Sequence, residues 1–102
     1  MLISLVNEVL EKLIQDWEPG NKMYSLILND MRVSPTETAN QMDRLAKNLS
    51  TGGFAVVTLK LPQRGPLKEL ENAIQILSKK YKFRGIRQLF HNRHEVTVVL
   101  SK

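Results

Sequence analysis

Two apolar runs with too few polar positions for a half-solvated sheet, Tyr24 to Leu28 (YSLIL) and Phe54 to Leu61 (FAVVTLKL), constrain this chain most. Such runs read as strands buried on both faces, and these occur mainly in parallel sheets flanked by helices. Between them Ser34-Pro35-Thr36-Glu37 starts a helix. Ser34 can cap the exposed amides, Pro35 suits the first turn and Glu37 completes a capping box. Ala39, Met42, Leu45, Ala46 and Leu49 then form one helical face, and Gly52-Gly53 reads as its left-handed stop.

The same pattern extends to both sides. Leu2, Leu5, Val6, Val9, Leu10, Leu13, Ile14 and Trp17 make a one-sided stripe that predicts an N-terminal helix, broken by Glu18-Pro19-Gly20-Asn21. Leu67, Leu70, Ile74, Leu77 and Tyr81 predict a third helix after the loop from Pro62 to Pro66. Phe83 to Phe90 and Glu95 to Leu100 then read as two strands joined by His91-Asn92-Arg93-His94. Alternating helices and strands imply right-handed crossovers, hence an α/β fold with a three-layer, mainly parallel sheet of four strands ending in an antiparallel hairpin. At 102 residues the chain has room for a single domain, 1–102, with one modest core.

Composition narrows the chemistry. There is no cysteine, so disulfides, thiolate nucleophiles and the usual zinc sites drop out, and His91 and His94 alone do not make a metal site. The sequence has no apolar run near the ~18 residues that span a bilayer, and Glu8, Glu11 and Asp16 interrupt the first stripe, which points to the cytoplasm. A net charge of +5 favours anionic partners. Lys79, Lys80 and Lys82 suit a solvated helix end, while Arg84 and Arg87 extend the basic cluster. Trp17 and Tyr24 sit on apolar stripes and read as packing residues.

Ligands of open α/β sheets bind beyond the carboxyl ends of the strands. Asp30 ends the first apolar run, Lys60 nearly ends the second, and Glu95 opens the last strand, whose antiparallel return brings it to the same edge. The three side chains are therefore expected to converge. Spacing alone leaves two readings open: an ion-paired cluster closing the sheet edge, or a lysine whose protonation is set by two carboxylates.

The segments Leu26-Ile27-Leu28-Asn29-Asp30-Met31, Thr58-Leu59-Lys60-Leu61-Pro62 and Arg87 to Val98 resemble the later motifs of FtsJ-like RNA ribose methyltransferases. The nearest resemblance is to the bacterial branch acting on cytidine ribose in large-subunit rRNA, and it runs from about Tyr24 to the C-terminus. It implies the C-terminal half of a Rossmann-like methyltransferase fold. It also implies that Asp30, Lys60 and Glu95 serve in deprotonating a ribose 2′-hydroxyl that attacks the methyl group of S-adenosylmethionine, with Lys60 as proton acceptor or hydroxyl-orienting group. Arg32, Arg64 and Arg93 become the RNA-binding candidates. A first catalytic lysine, a glycine-rich strand-to-helix loop and an acidic residue for the donor's ribose belong to that family and have no counterpart here. The chain alone is thus expected to be an inactive fragment that does not bind the donor. Loss of a neighbouring strand would also leave Tyr24 to Leu28 as a bare edge, predicting a homodimer through it. The rival expectation is a noncatalytic RNA-binding α/β module similar to the C-terminal domain of bacterial translation initiation factor three.

Overall fold

In the computed structural model, residues 2–5, 20–88 and 94–102 are described, the first of these as backbone only. Their elements are β1 (Leu2–Leu5), β2 (Tyr24–Asn29), α1 (Pro35–Leu45), a short 3-10 turn (Ala46–Asn48), β3 (Leu49–Lys60), α2 (Pro66–Leu77), β4 (Lys82–Arg87) and β5 (Glu95–Ser101). The strands form one sheet in the order β1-β2-β3-β5-β4. β1, β2 and β3 run parallel, β5 is antiparallel to β3, and β4 is antiparallel to β5. The mainly parallel sheet with an antiparallel finish is as expected from the sequence.

The sequence expectation fails at Leu2, which opens a strand instead of a helix. Leu2 to Leu5 pairs in register with Leu26 to Asn29. A stripe of leucines at helical spacing is also compatible with a four-residue apolar strand, and pairing with β2 decides between them. The rest of the expected N-terminal helix, Val6 to Trp17, lies outside the described residues. β1 makes this a five-stranded sheet and covers the edge on which the homodimer was premised, because β2 carries ladders on both sides.

Gly52-Gly53 does not stop a helix. α1 ends at Leu45, and Leu49 already belongs to β3, where the register with β2 jumps from Tyr24↔Leu49 to Leu26↔Phe54. Gly52 takes φ +85 inside this bulge, and a Cβ on Gly53 would lie 2.8 Å from the Ser25 carbonyl oxygen. Both glycines serve the bulge, one by its left-handed backbone and the other by close approach to β2.

Both helices pack on one sheet face. Ala39, Met42, Leu45, Ala73 and Leu77 cluster with Ile27, Ala55, Val57, Leu59, Val96, Val98 and Leu100, all buried. α1 begins as expected, with Ser34 Oγ accepting from the Glu37 amide at 3.2 Å. α2 starts after Gly65 in the left-handed conformation, with Pro66 in its first turn. Of the predicted α2 stripe, Leu67 is 72% exposed, and Ala73, outside that stripe, is buried in the core. Tyr24 is buried as expected. The alternate positions of the central strands (Leu26, Phe54, Val56, Thr58, Thr97, Val99) form the other face, which carries no helix among the described residues.

Candidate functional site

The carboxyl ends of the parallel strands are held open by a buried turn. Asn29, 1% exposed, donates from its amide to Gln41 Oε1 (3.1 Å) and to Met42 Sδ (3.5 Å), while its Oδ1 accepts from the Met31 amide (3.3 Å). This anchors the exit of β2 to α1 and turns the chain sharply, so that Asp30 projects over the sheet edge. A buried amide of this kind must be satisfied to be tolerated. Asn29 was not singled out in the sequence, although a polar residue closing an apolar strand is a signal of this kind.

Lys60, the last residue of β3, lies directly opposite Glu95, the first residue of β5. Its Nζ is 2.6 Å from both Asp30 Oδ1 and Glu95 Oε1. Glu95 Oε1 accepts a hydrogen bond from Lys60 Nζ, and Asp30 Oδ1 pairs with it as an ion pair. Side-chain exposures of 25% for Lys60, 48% for Asp30 and 33% for Glu95 place the group at a wet margin. Burial pulls Lys60 toward its neutral form, but the contacts and charges of Asp30 and Glu95 outweigh it and raise its pKa. Lys60 is therefore an ammonium at neutral pH. The structure thus brings together all three residues that the sequence placed at one edge.

An open cleft of about 690 Å³ lies over this cluster, lined by Asp30, Arg32, Ser34, Lys60, Glu69 and Glu95 among others. Its volume is in the range of small-molecule sites. Arg32 lines the cleft and is exposed at its rim. Arg64 is exposed in the loop before α2, beside the cleft residue Pro62 but not lining the cleft itself. Arg93 and His91 lie outside the described residues, and His94 is exposed. Lys79, Lys80 and Lys82 gather at the opposite end of the sheet, where Lys82 pairs with Ser101 and Lys80 lies 3.3 Å from Asp43. Among the described residues no group of His, Cys, Asp and Glu could hold a metal ion, and no helix is long and apolar enough to cross a membrane.

Glu69 is the site residue that the sequence reading missed. Thr36 Oγ1 donates to Glu69 Oε2 at 2.8 Å, tying the first turns of α1 and α2 together across the cleft. Both residues sit just inside helix starts, which a parallel β/α arrangement must bring to the ligand end of the sheet, so their positions could have been read.

The fit to S-adenosylmethionine fails at the backbone. The turn that leaves β2 beside the cluster runs Asp30-Met31-Arg32-Val33-Ser34 without a glycine, and the five glycines of the chain form no strand-following pair spaced by one residue. The described residues offer no glycine cradle for the donor.

No protein-family model matches the sequence, and no curated protein matches it. Solved structures do. Fibrillarin, a pre-rRNA processing protein of Methanococcus jannaschii, matches over 86% of this chain and 40% of its own, at 16% identity and a TM-score of 0.68. Aeropyrum pernix fibrillarin, solved with natively bound S-adenosyl-L-methionine, matches over 89% of this chain and 40% of its own, at 15% identity and a TM-score of 0.64. A putative rRNA methylase from Clostridium thermocellum matches over 87% and 55%, at 15% identity and a TM-score of 0.59. The chain spans about half or less of the length of these proteins. At such identities the likeness is one of fold alone, a Rossmann-like α/β sheet that this chain shares with part of each of these proteins.

Proposed function

We propose that this chain is the substrate-facing part of an S-adenosylmethionine-dependent rRNA ribose 2′-O-methyltransferase of FtsJ-like type, and that its cleft receives a ribose 2′-hydroxyl, cytidine being the first nucleoside to test. One observation carries the reading: Lys60 Nζ held 2.6 Å from two carboxylates beyond the carboxyl ends of the parallel strands. The fold likeness to a pre-rRNA processing protein and to a putative rRNA methylase supports it.

Of the two roles open to Lys60, its raised pKa favours the second. As an ammonium it donates to the hydroxyl oxygen and stabilises the negative charge that grows there as the proton leaves, while Asp30 or Glu95 accepts that proton. Asp30 and Glu95 also fix the Lys60 head group, and such positioning is a large part of any group transfer. Arg32 and Arg64, at the rim, hold RNA phosphates. Donor binding and methyl transfer need a glycine-rich cradle that this sequence does not carry, and this chain alone is inactive.

The test is an NMR titration of the chain with a short single-stranded RNA and with the same RNA 2′-O-methylated throughout. The expected result is a shift of the Lys60 side-chain and Glu95 amide signals with the first RNA only. Equal shifts with both RNAs, or shifts confined to residues far from the cleft, overturn the reading.

A further inference from the structure

A second concave site lies at the far end of the sheet, roughly 20 Å from Lys60 at ~3.4 Å per residue along β5. It is a cavity of about 300 Å³ lined by Gly52, Gly53, Phe54, Arg84, Ser101 and Lys102. We propose that it is a binding subsite for one nucleotide of single-stranded RNA, with the base stacked on Phe54 and the adjoining phosphate held by Arg84 and Lys102.

Four observations converge on this ligand. Phe54 is 48% exposed on the sheet face that carries no helix among the described residues, where an aromatic ring would otherwise be expected to pack. Arg84 is fixed in place by its Nε–H donating to Ser101 Oγ at 2.7 Å, and it makes no other hydrogen bond among the described residues, so its terminal N–H groups remain to be used. Ser101 follows Leu100, the partner of Ala55, so the ring of Phe54, the hydroxyl of Ser101 and the guanidinium of Arg84 stand in a row across β3, β5 and β4. Two cationic side chains and no acidic side chain line the cavity, in contrast to the cleft around Lys60, where Asp30, Glu69 and Glu95 face Lys60 and Arg32.

The Gly52 bulge is what opens the site. Gly52 turns the backbone with φ +85, and a Cβ there would meet nothing within 4 Å, so the main chain beside the ring is accessible. A flat ring with cations at its edge, one of them fixed, is the arrangement that suits a base and its phosphate: stacking tolerates any base, and the cations follow the backbone. An apolar peptide would leave both cations unpaired, and a bare polyanion would make no use of the ring.

The experiment is fluorescence anisotropy of the full chain with a labelled single-stranded RNA of about ten nucleotides, against heparin as a polyanion without bases. Phe54→Leu is expected to weaken RNA binding on the order of tenfold while leaving heparin binding unchanged, and Phe54→Tyr to keep RNA binding. Arg84→Gln is expected to weaken both ligands and to reduce the slope of log affinity against log salt by about one. Near-native melting temperatures of the variants establish that they fold. The inference is overturned if wild type does not bind the RNA, if Phe54→Leu leaves RNA binding intact, or if it weakens heparin equally. It is also overturned if Phe54→Leu abolishes self-association instead, which would make the face a protein interface. None of these readouts involves Lys60, so failure here leaves the reading of the cleft standing, and the NMR titration can fail independently.

Discussion

Replacing Lys60 by methionine removes the charge that holds two carboxylates together and keeps most of the side chain's bulk. Asp30 Oδ1 and Glu95 Oε1 each lie 2.6 Å from Nζ, so they are no more than about 5 Å apart. Two like charges at that distance repel by about 1 kcal/mol in water and about 3 kcal/mol at the effective dielectric of a protein margin. With exposures of 48% and 33% the lower figure applies more closely. The lost pairs add up to about 1 kcal/mol each, as partly exposed pairs do. Lys60→Met should therefore destabilise the fold by about 2 kcal/mol at pH 7, a fall in Tm of roughly 10 °C for a chain of this size.

The pH dependence gives the sharper check. The folded pKa of Lys60 is raised, so its contribution is complete below the unfolded value of 10.5 and fades only as pH climbs through the higher folded value. The gap between wild type and variant, followed by thermal melts monitored by circular dichroism, should be flat from neutral pH to about pH 10 and close above it. Adding Glu95→Gln to Lys60→Met should recover about 1 kcal/mol. A variant that melts like wild type at every pH would refute the claim that the three groups act as one cluster.

Other outcomes follow from particular contacts. Tyr81 donates to the Met42 carbonyl at 2.6 Å and is held protonated well above the usual phenol range, chiefly by burial and secondarily by Asp43. In a Tyr24→Phe background no tyrosinate absorbance should therefore appear before alkaline unfolding, and Tyr81→Phe should cost about 1 kcal/mol. Gly53→Ala should destabilise by about 2 kcal/mol or more in urea melts, since its Cβ meets the Ser25 and Ser50 carbonyl oxygens, whereas Gly85→Ala, with open space around it, should melt like wild type. Leu59→Ala, at a fully buried position, should cost roughly 2–5 kcal/mol. Calorimetric titration with S-adenosylmethionine should show no stoichiometric binding, and micromolar binding would mean that a cradle exists outside the described residues.

The legible parts of this molecule are those in which local pattern and tertiary environment agree. Tyr24 to Leu28 is apolar because it is central in the sheet, Ser34 and Pro35 start α1 by local chemistry, and Lys60 is conspicuous because a charge in an apolar strand needs partners. The misread parts are those where one pattern serves two environments. Leu2 and Leu5 fit a helical stripe, yet a strand needs only four such residues once β2 offers a ladder. Gly52-Gly53 after a helical face has the chemistry of a helix stop, but the bulge against β2 uses the same left-handed freedom. Leu67 continues a stripe in sequence but is exposed in the fold. Glu69 was missed because its importance arises from a partner, Thr36, that lies an entire strand away in the chain.

The two margins of the sheet are chemically unlike. β4 ends it with Lys82, Arg84 and Arg87, cations whose hydration discourages a further strand from docking. β1 ends it with Leu2, Ile3, Ser4 and Leu5, which carry no charge and no proline. Among the described residues, only the β1 margin lacks the charges that disfavour addition of a further strand.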